Sequence, residues 1–219
     1  MRAAAIAVIV AAVVNVVTVS SPVFAQEPPP RLPFVVVDLH ANVPKFPGDA
    51  SLADSRGLTS AAELPGAGLG GGDIGLHVYP LRWRAVTFGV GGQLTRARAQ
   101  QTPANVSGQI LRPVAEHFTT ISPQISFNFG SGTGWSYLSG GMGVAKWSIV
   151  PDGVTPLAAD EEQLKTINYG GGARWFIKPH VAFSLDVRFY AVNPGTPAFG
   201  FPGSPRTTFL IIGAGVSLK

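Results

Sequence analysis

Four histidines and no cysteine set the chemical repertoire of this 219-residue chain. Without thiols there is no disulfide, no Cys-based metal site and no thiol nucleophile. His40 and His77 fall on the polar faces of two neighbouring candidate strands. A metal would need a third ligand, and the pattern offers none, so they read as a hydrogen-bonded interior pair and no metal or other cofactor is expected. His180 lies in a tight turn and His117 at a strand end, both solvated. Asp186 and Arg188 stand two residues apart, so a strand would put them on one face. Arg174 comes from the neighbouring strand and Asp38 from the first one. Together these charges read as a structural network of both signs, with a gated ion path as the sharper alternative. Asp152, Asp160, Glu161 and Glu162 make one loop acidic; a solvated loop is the simpler reading and divalent-cation binding the sharper one. The glycine runs 68–72 and 170–172 lead into no helix, so they are not phosphate loops.

The elements that must position these side chains are strands. Residues 121–129 read ISPQISFNF. Odd positions are apolar or ring-bearing and even positions small and polar, a period of two. Eight such segments occur, at about 33–44, 72–82, 85–97, 117–129, 135–148, 166–177, 181–191 and 207–218. The first sets Val35, Val37, Leu39, Ala41 and Val43 against Val36, Asp38, His40 and Asn42. The fifth places Leu138, Met142 and Val144 opposite Tyr137 and Ser139. No long helical period appears; a short turn near Ala158–Lys165 is the one exception. Connections alternate strictly, beginning with a long one of Pro, Gly, Asp and Ser and then a couple of residues around Trp83 and Arg84. Loops sorted to one end and turns to the other are the construction of membrane barrels.

Composition bears on the same choice. Residues 1–25 have a positive start at Arg2, an apolar run from Ala3 to Val19 and small residues at Val23 and Ala25, which predicts a signal peptide cleaved after Ala25. Residues 26–32 then form a proline-rich periplasmic lead-in, and 33–219 the barrel. The remaining 194 residues carry 15 basic and 12 acidic side chains. That balance, without basic runs, argues against nucleic acid. Charged residues are 13% of the chain, about half of what a soluble domain carries, and the polar stripes are small and uncharged rather than rich in Lys and Glu. The apolar stripes are therefore expected to meet lipid and the polar ones to fill a lumen. Rings near the short turns (Trp83, Phe129, Trp135, Trp175 and Phe176) are expected to form an aromatic girdle, with Trp147, Phe118 and Tyr190 at the opposite rim. Pro123 on the apolar stripe cannot donate to a ladder, which predicts a bulge there.

The export signal, eight alternating strands, sorted loops and the closing segment Phe209–Lys219 resemble the small eight-stranded outer-membrane barrels of the OmpA/OmpX-like group. The resemblance implies an all-β, eight-stranded antiparallel up-and-down transmembrane barrel in the outer membrane of a Gram-negative-type bacterium. It implies outer-membrane lipid, lipopolysaccharide and the barrel assembly machinery as partners. The terminal Leu218-Lys219 departs from the aromatic ending that such barrels often carry. Some small barrels edit lipid A with a His-x-Ser arrangement; here no histidine has serine two residues ahead. The expected function is therefore a non-catalytic, structural or surface-interaction role through the long loops. The alternatives are a soluble periplasmic lipocalin-like barrel holding a hydrophobic ligand, and a small pore or lipid-modifying enzyme.

Overall fold

The computed structural model describes residues 32–68, 70–103 and 112–219. The signal segment and nearly all of the lead-in lie outside them. Eight strands run in order: β1 (Val35–Lys45), β2 (Gly71–Trp83), β3 (Val86–Gln101), β4 (Val114–Ser131), β5 (Gly134–Pro151), β6 (Gln163–Lys178), β7 (Val181–Val192) and β8 (Thr207–Leu218). Each pairs antiparallel with the next, and β8 returns to β1, where Asp38 faces Ser217 and Ala41 faces Ala214. Closure removes the free edge strands of an open sheet.

Three turns are two residues long, at Arg84-Ala85, Gly132-Thr133 and Pro179-His180. The first holds Arg84 at φ 54°, where a side chain is disfavoured and glycine is not. The connections at the other end span 46–70, 102–113, 152–162 and 193–206. Several strands reach further toward that end than their alternation announced: β3 continues to Gln101, β4 starts at Val114 and β5 runs to Pro151. The acidic loop holds a short helix, α2 (Ala158–Glu161). The first long connection holds α1 (Ala50–Ser55) and a 3₁₀ turn (Ala61–Glu63), where Ser60 and Glu63 form a reciprocal capping box.

Pro123 makes no bulge. Pairing of β4 with β5 lapses at Ser122 and Pro123 but resumes in unchanged register, Ile121 facing Val144 and Gln124 facing Gly141. Met142 and Gly143 stand opposite the lapse, and on its other side Pro123 faces Gly92 in the regular β3 ladder. Register irregularities occur instead at Val78/Leu81 and Phe176/Lys178, both near the short turns.

Candidate functional site

The barrel interior divides into three layers along its axis. The middle layer is polar. Asp38 on β1 accepts from Arg174 on β6 twice, Nε at 2.9 Å and Nη2 at 2.6 Å, and from Ser217 on β8. His77 on β2 stands 3.5 Å from the same carboxylate. Arg188 on β7 donates to Asp186 through Nε at 3.0 Å and Nη2 at 2.9 Å, to Asn168 at 2.9 Å and to Ser139 at 2.8 Å. The Tyr137 hydroxyl donates to Asp186 at 2.7 Å. Gln93 donates to Asp73 at 2.9 Å, and Gln124 to Gln93 at 2.7 Å and to Asn168 at 3.1 Å. Three carboxylates thus share the layer with two guanidiniums, and the His40 ring lies 2.8 Å from the third carboxylate, Asp73. Charges buried at this depth persist only when paired and hydrogen-bonded in this way.

Glycine makes room for these large side chains. A Cβ at Gly172 would stand 2.6 Å from the Tyr137 hydroxyl, and one at Gly91 2.6 Å from His77 Nδ1. Arg174 also lies over the Tyr137 ring at 4.2 Å and the Trp135 ring at 5.6 Å, so one cation is held by carboxylate and aromatic faces together.

His40 bridges two partners. Nδ1 meets Asp73 at 2.8 Å and Nε2 meets the Ser184 hydroxyl at 2.8 Å. Asp–His–Ser in hydrogen-bonded sequence is the order of a nucleophile relay. Here Ser184 is fully buried and all three side chains belong to the packed layer, so the serine has no face on which to meet a substrate. The pairing joins residues 144 apart in sequence. His40 and His77 do not meet as a pair; each is turned to a different carboxylate.

The layer beneath, toward the short turns, is aromatic. Val36, Tyr79, Trp135 and Tyr137 are buried there, with Leu32 and Phe176 against them. Trp135 and Phe176 stack with centroids 5.2 Å apart, and the Lys219 ammonium lies 3.9 Å from the Phe176 centroid. At the other end the first long connection folds into the mouth. Phe46, Leu52, Ala53, Leu58 and Leu64 pack against Phe118, Trp147, Ile149, Tyr190 and Phe209 from the strand tops. Phe209 is the hub, with Phe118 at 4.8 Å, Phe46 at 5.2 Å and Trp147 at 5.6 Å. Polar pins fix this plug: Arg56 donates to Asp160 and to the Trp147 carbonyl, both at 3.0 Å, and Trp147 Nε1 donates to Glu116 at 2.9 Å. Burial pushes the Arg56 guanidinium pKa down, and the carboxylates of Asp160, Glu116 and Glu162 oppose that shift.

The outside reverses this polarity. Ile121, Ile125 and Phe127 are 59%, 58% and 41% exposed, while Ser122, Gln124, Ser126 and Asn128 between them are buried. The same holds around the ring, from Leu39 and Leu76 to Leu138, Met142, Val187 and Ile212. A closed ring with charges inside and a continuous apolar wall outside is stable only when hydrocarbon surrounds it.

The chain is a transmembrane β-barrel.

That orientation removes the lipocalin-like alternative, which required the apolar stripe inside. Asp38, His40, His77, Arg174, Asp186 and Arg188 all point into the lumen of the barrel. The aromatic girdle needs correction. Trp83, Phe129 and Trp175 do face outward near the short turns, but Trp135 and Trp147 are buried inside, Phe176 leans on Trp135, and Phe118 and Tyr190 fill the plug rather than a rim. Strand parity explains the correction. Trp135 shares its side of β5 with Tyr137 and Ser139, so a strand end near the interface does not by itself turn a ring outward. Ser184, Asp73 and the plug residues Phe46, Leu52, Leu58 and Leu64 were not singled out from sequence; their partners lie on distant strands.

The barrel is similar to several solved structures. Neisserial surface protein A gives a TM-score of 0.48 at 14% identity, covering 84% of this chain and 94% of that one. Ail, the attachment invasion locus protein of Yersinia pestis, gives 0.38 at 13% identity, covering 84% and 96%. Outer membrane protein AlkL, solved in DMPC lipid bilayers, gives 0.40 at 14% identity, covering 91% and 96%. At these scores the likeness is one of general shape and says nothing about activity. No protein-family model and no curated protein matches the chain.

Proposed function

We propose that this barrel is a non-catalytic, non-conducting outer-membrane protein that acts at the cell surface through the cap built by its long loops. The observation that carries the reading is the filled interior: among the described residues an aromatic floor, an ion-paired middle and an apolar plug follow one another along the axis. Eight strands enclose just enough space for side chains. The described part of the cap, by contrast, is folded and offers contact groups. Phe199 stands 91% exposed at the tip of the 193–206 connection, where Ala198 and Phe201 pair across it, and it adopts φ 52° to do so. A non-glycine residue held in the left-handed region at an exposed tip is an expensive way to present a ring. Export through residues 1–25 and insertion by the barrel assembly machinery complete the proposal. Planar-bilayer recording of the purified full chain tests it. The expected trace is silent at voltages where an open porin conducts; steady single-channel steps would overturn the reading.

A further inference from the structure

Outward-facing cations cluster on three adjacent strands near the long-loop end. Arg96 and Arg98 on β3, His117 on β4 and Lys146 on β5 all face outward. The registers place them in a grid. Arg98 faces His117, and His117 faces Ser148 on its other side; one step down, Arg96 faces Thr119, and Thr119 faces Lys146. These six side chains line a shallow hollow of about 470 Å³. Two residues further toward the short turns, the same three strands present Leu94, Ile121 and Val144, 41%, 59% and 43% exposed and directly opposed in the same fashion. Lys165 on β6 faces Val144 and extends the positive edge. Among the described residues, Lys146 pairs with Glu161 and Arg98 donates to Gln100 at 3.1 Å, whereas the Arg96 guanidinium has no ion-pair partner. Across the barrel, the outward positions of β7 from Phe183 to Phe189 and of β8 from Thr208 to Leu218 carry no charge.

We propose that Arg96, Arg98, His117 and Lys146 form a headgroup site for a phosphorylated membrane lipid, with Leu94, Ile121 and Val144 beneath it receiving the acyl chains. The position selects this ligand. The two guanidiniums can bind phosphate oxygens in a fork geometry, and the ammonium beside them adds a point charge. The cluster lies on the wall, immediately above the apolar band, where a headgroup and its chains can be met together. A soluble polyanion such as a sulfated glycan would gain nothing from the apolar row.

The inference rests on the membrane-barrel reading with the long loops at the cell surface. It is tested on the full chain refolded into phosphatidylcholine vesicles doped with a bisphosphorylated glycolipid, lipid A, or with its dephosphorylated form. Lipid carried by the barrel is read by native mass spectrometry. The barrel should retain the phosphorylated form, and the triple variant Arg96→Gln, Arg98→Gln, Lys146→Gln should retain at least about tenfold less. Arg82→Gln, Arg84→Gln, Lys178→Gln at the opposite end should match wild type. Equal retention of both lipids, or no loss in the first triple variant, overturns the site. Inorganic phosphate and a heparin fragment are run separately; if either binds as tightly as the lipid, the ligand is a free anion or a glycan, and the lipid assignment fails. Should the triple variant lack the heat-dependent gel shift of a folded barrel, wild type decides. Raising sodium chloride from about 0.05 to about 0.5 M should strip the phosphorylated lipid, and salt-independent retention refutes the proposal. Failure of the surface orientation alone would read differently: protease added to intact cells would spare the long loops, while the purified barrel would still distinguish the two lipids.

Discussion

The middle of the barrel and its mouth are filled by opposite rules. In the middle, Asp38 and Arg174 pair across the lumen and Asp186 and Arg188 pair along β7, all hydrogen-bonded. In the mouth, Phe46, Leu52, Trp147 and Phe209 pack as an ordinary apolar core. The difference follows from what lies outside each. Around the middle the wall is wetted by hydrocarbon, so moving apolar surface inward gains nothing and the interior can hold the polar groups that lipid refuses. Around the mouth there is water again, and burying Leu52 and Phe118 returns the usual hydrophobic gain. A single barrel thus changes its folding logic along its axis, at about the level where the outer wall passes from Leu94, Ile121 and Val144 to Arg96, Thr119 and Lys146.

The largest effect should come from unbalancing the middle. Arg174→Met leaves Asp38 buried beside a polar hydroxyl and one histidine, and should cost about 3–5 kcal/mol in urea unfolding followed by the gel shift. Combining it with Asp38→Asn should recover much of that loss. If the single variant is no worse than the double, the two charges are not coupled and the middle is not an ion-pair layer. Leu52→Ala in the mouth should cost about 3 kcal/mol, since a fully buried side chain is cut to a methyl. That loss should appear locally, as protease cleavage within 46–66 with the barrel's own midpoint unchanged. An equal fall in both would make plug and barrel one cooperative unit and blur the contrast drawn here. Arg84→Gly should act least, stabilising by about 0.5–1 kcal/mol through release of the left-handed turn, and should leave both layers untouched.

The strands and the inward-pointing charges were legible because a two-residue period commits every side chain to a face, and one register slip would expose all of them. Asp38, His40, Arg174, Asp186 and Arg188 could be placed inside from parity alone. Which one pairs with which could not, because Asp38 meets Arg174 and His40 meets Ser184 across more than a hundred residues. Trp135 and Trp147 went astray because a rule about ring position was set above the parity already visible in Tyr137 and Ser139. The plug was hidden for another reason. Phe46, Leu52, Leu58 and Leu64 are scattered through a stretch rich in Pro, Gly, Asp and Ser, and have no local period because their partners are the strand tops.

Which stripe of each strand meets lipid decides the inside of this barrel from its outside. The chain has no native cysteine, so single labels can be read without background. We would introduce Ile121→Cys, Ser122→Cys, Gln124→Cys, Ile125→Cys, Ser126→Cys and Phe127→Cys in turn, attach a fluorophore, and measure quenching by brominated lipid. Labels at 121, 125 and 127 should be quenched and those at 122, 124 and 126 protected. The reverse alternation would put the apolar stripe inside and make this a water-exposed barrel with a greasy core.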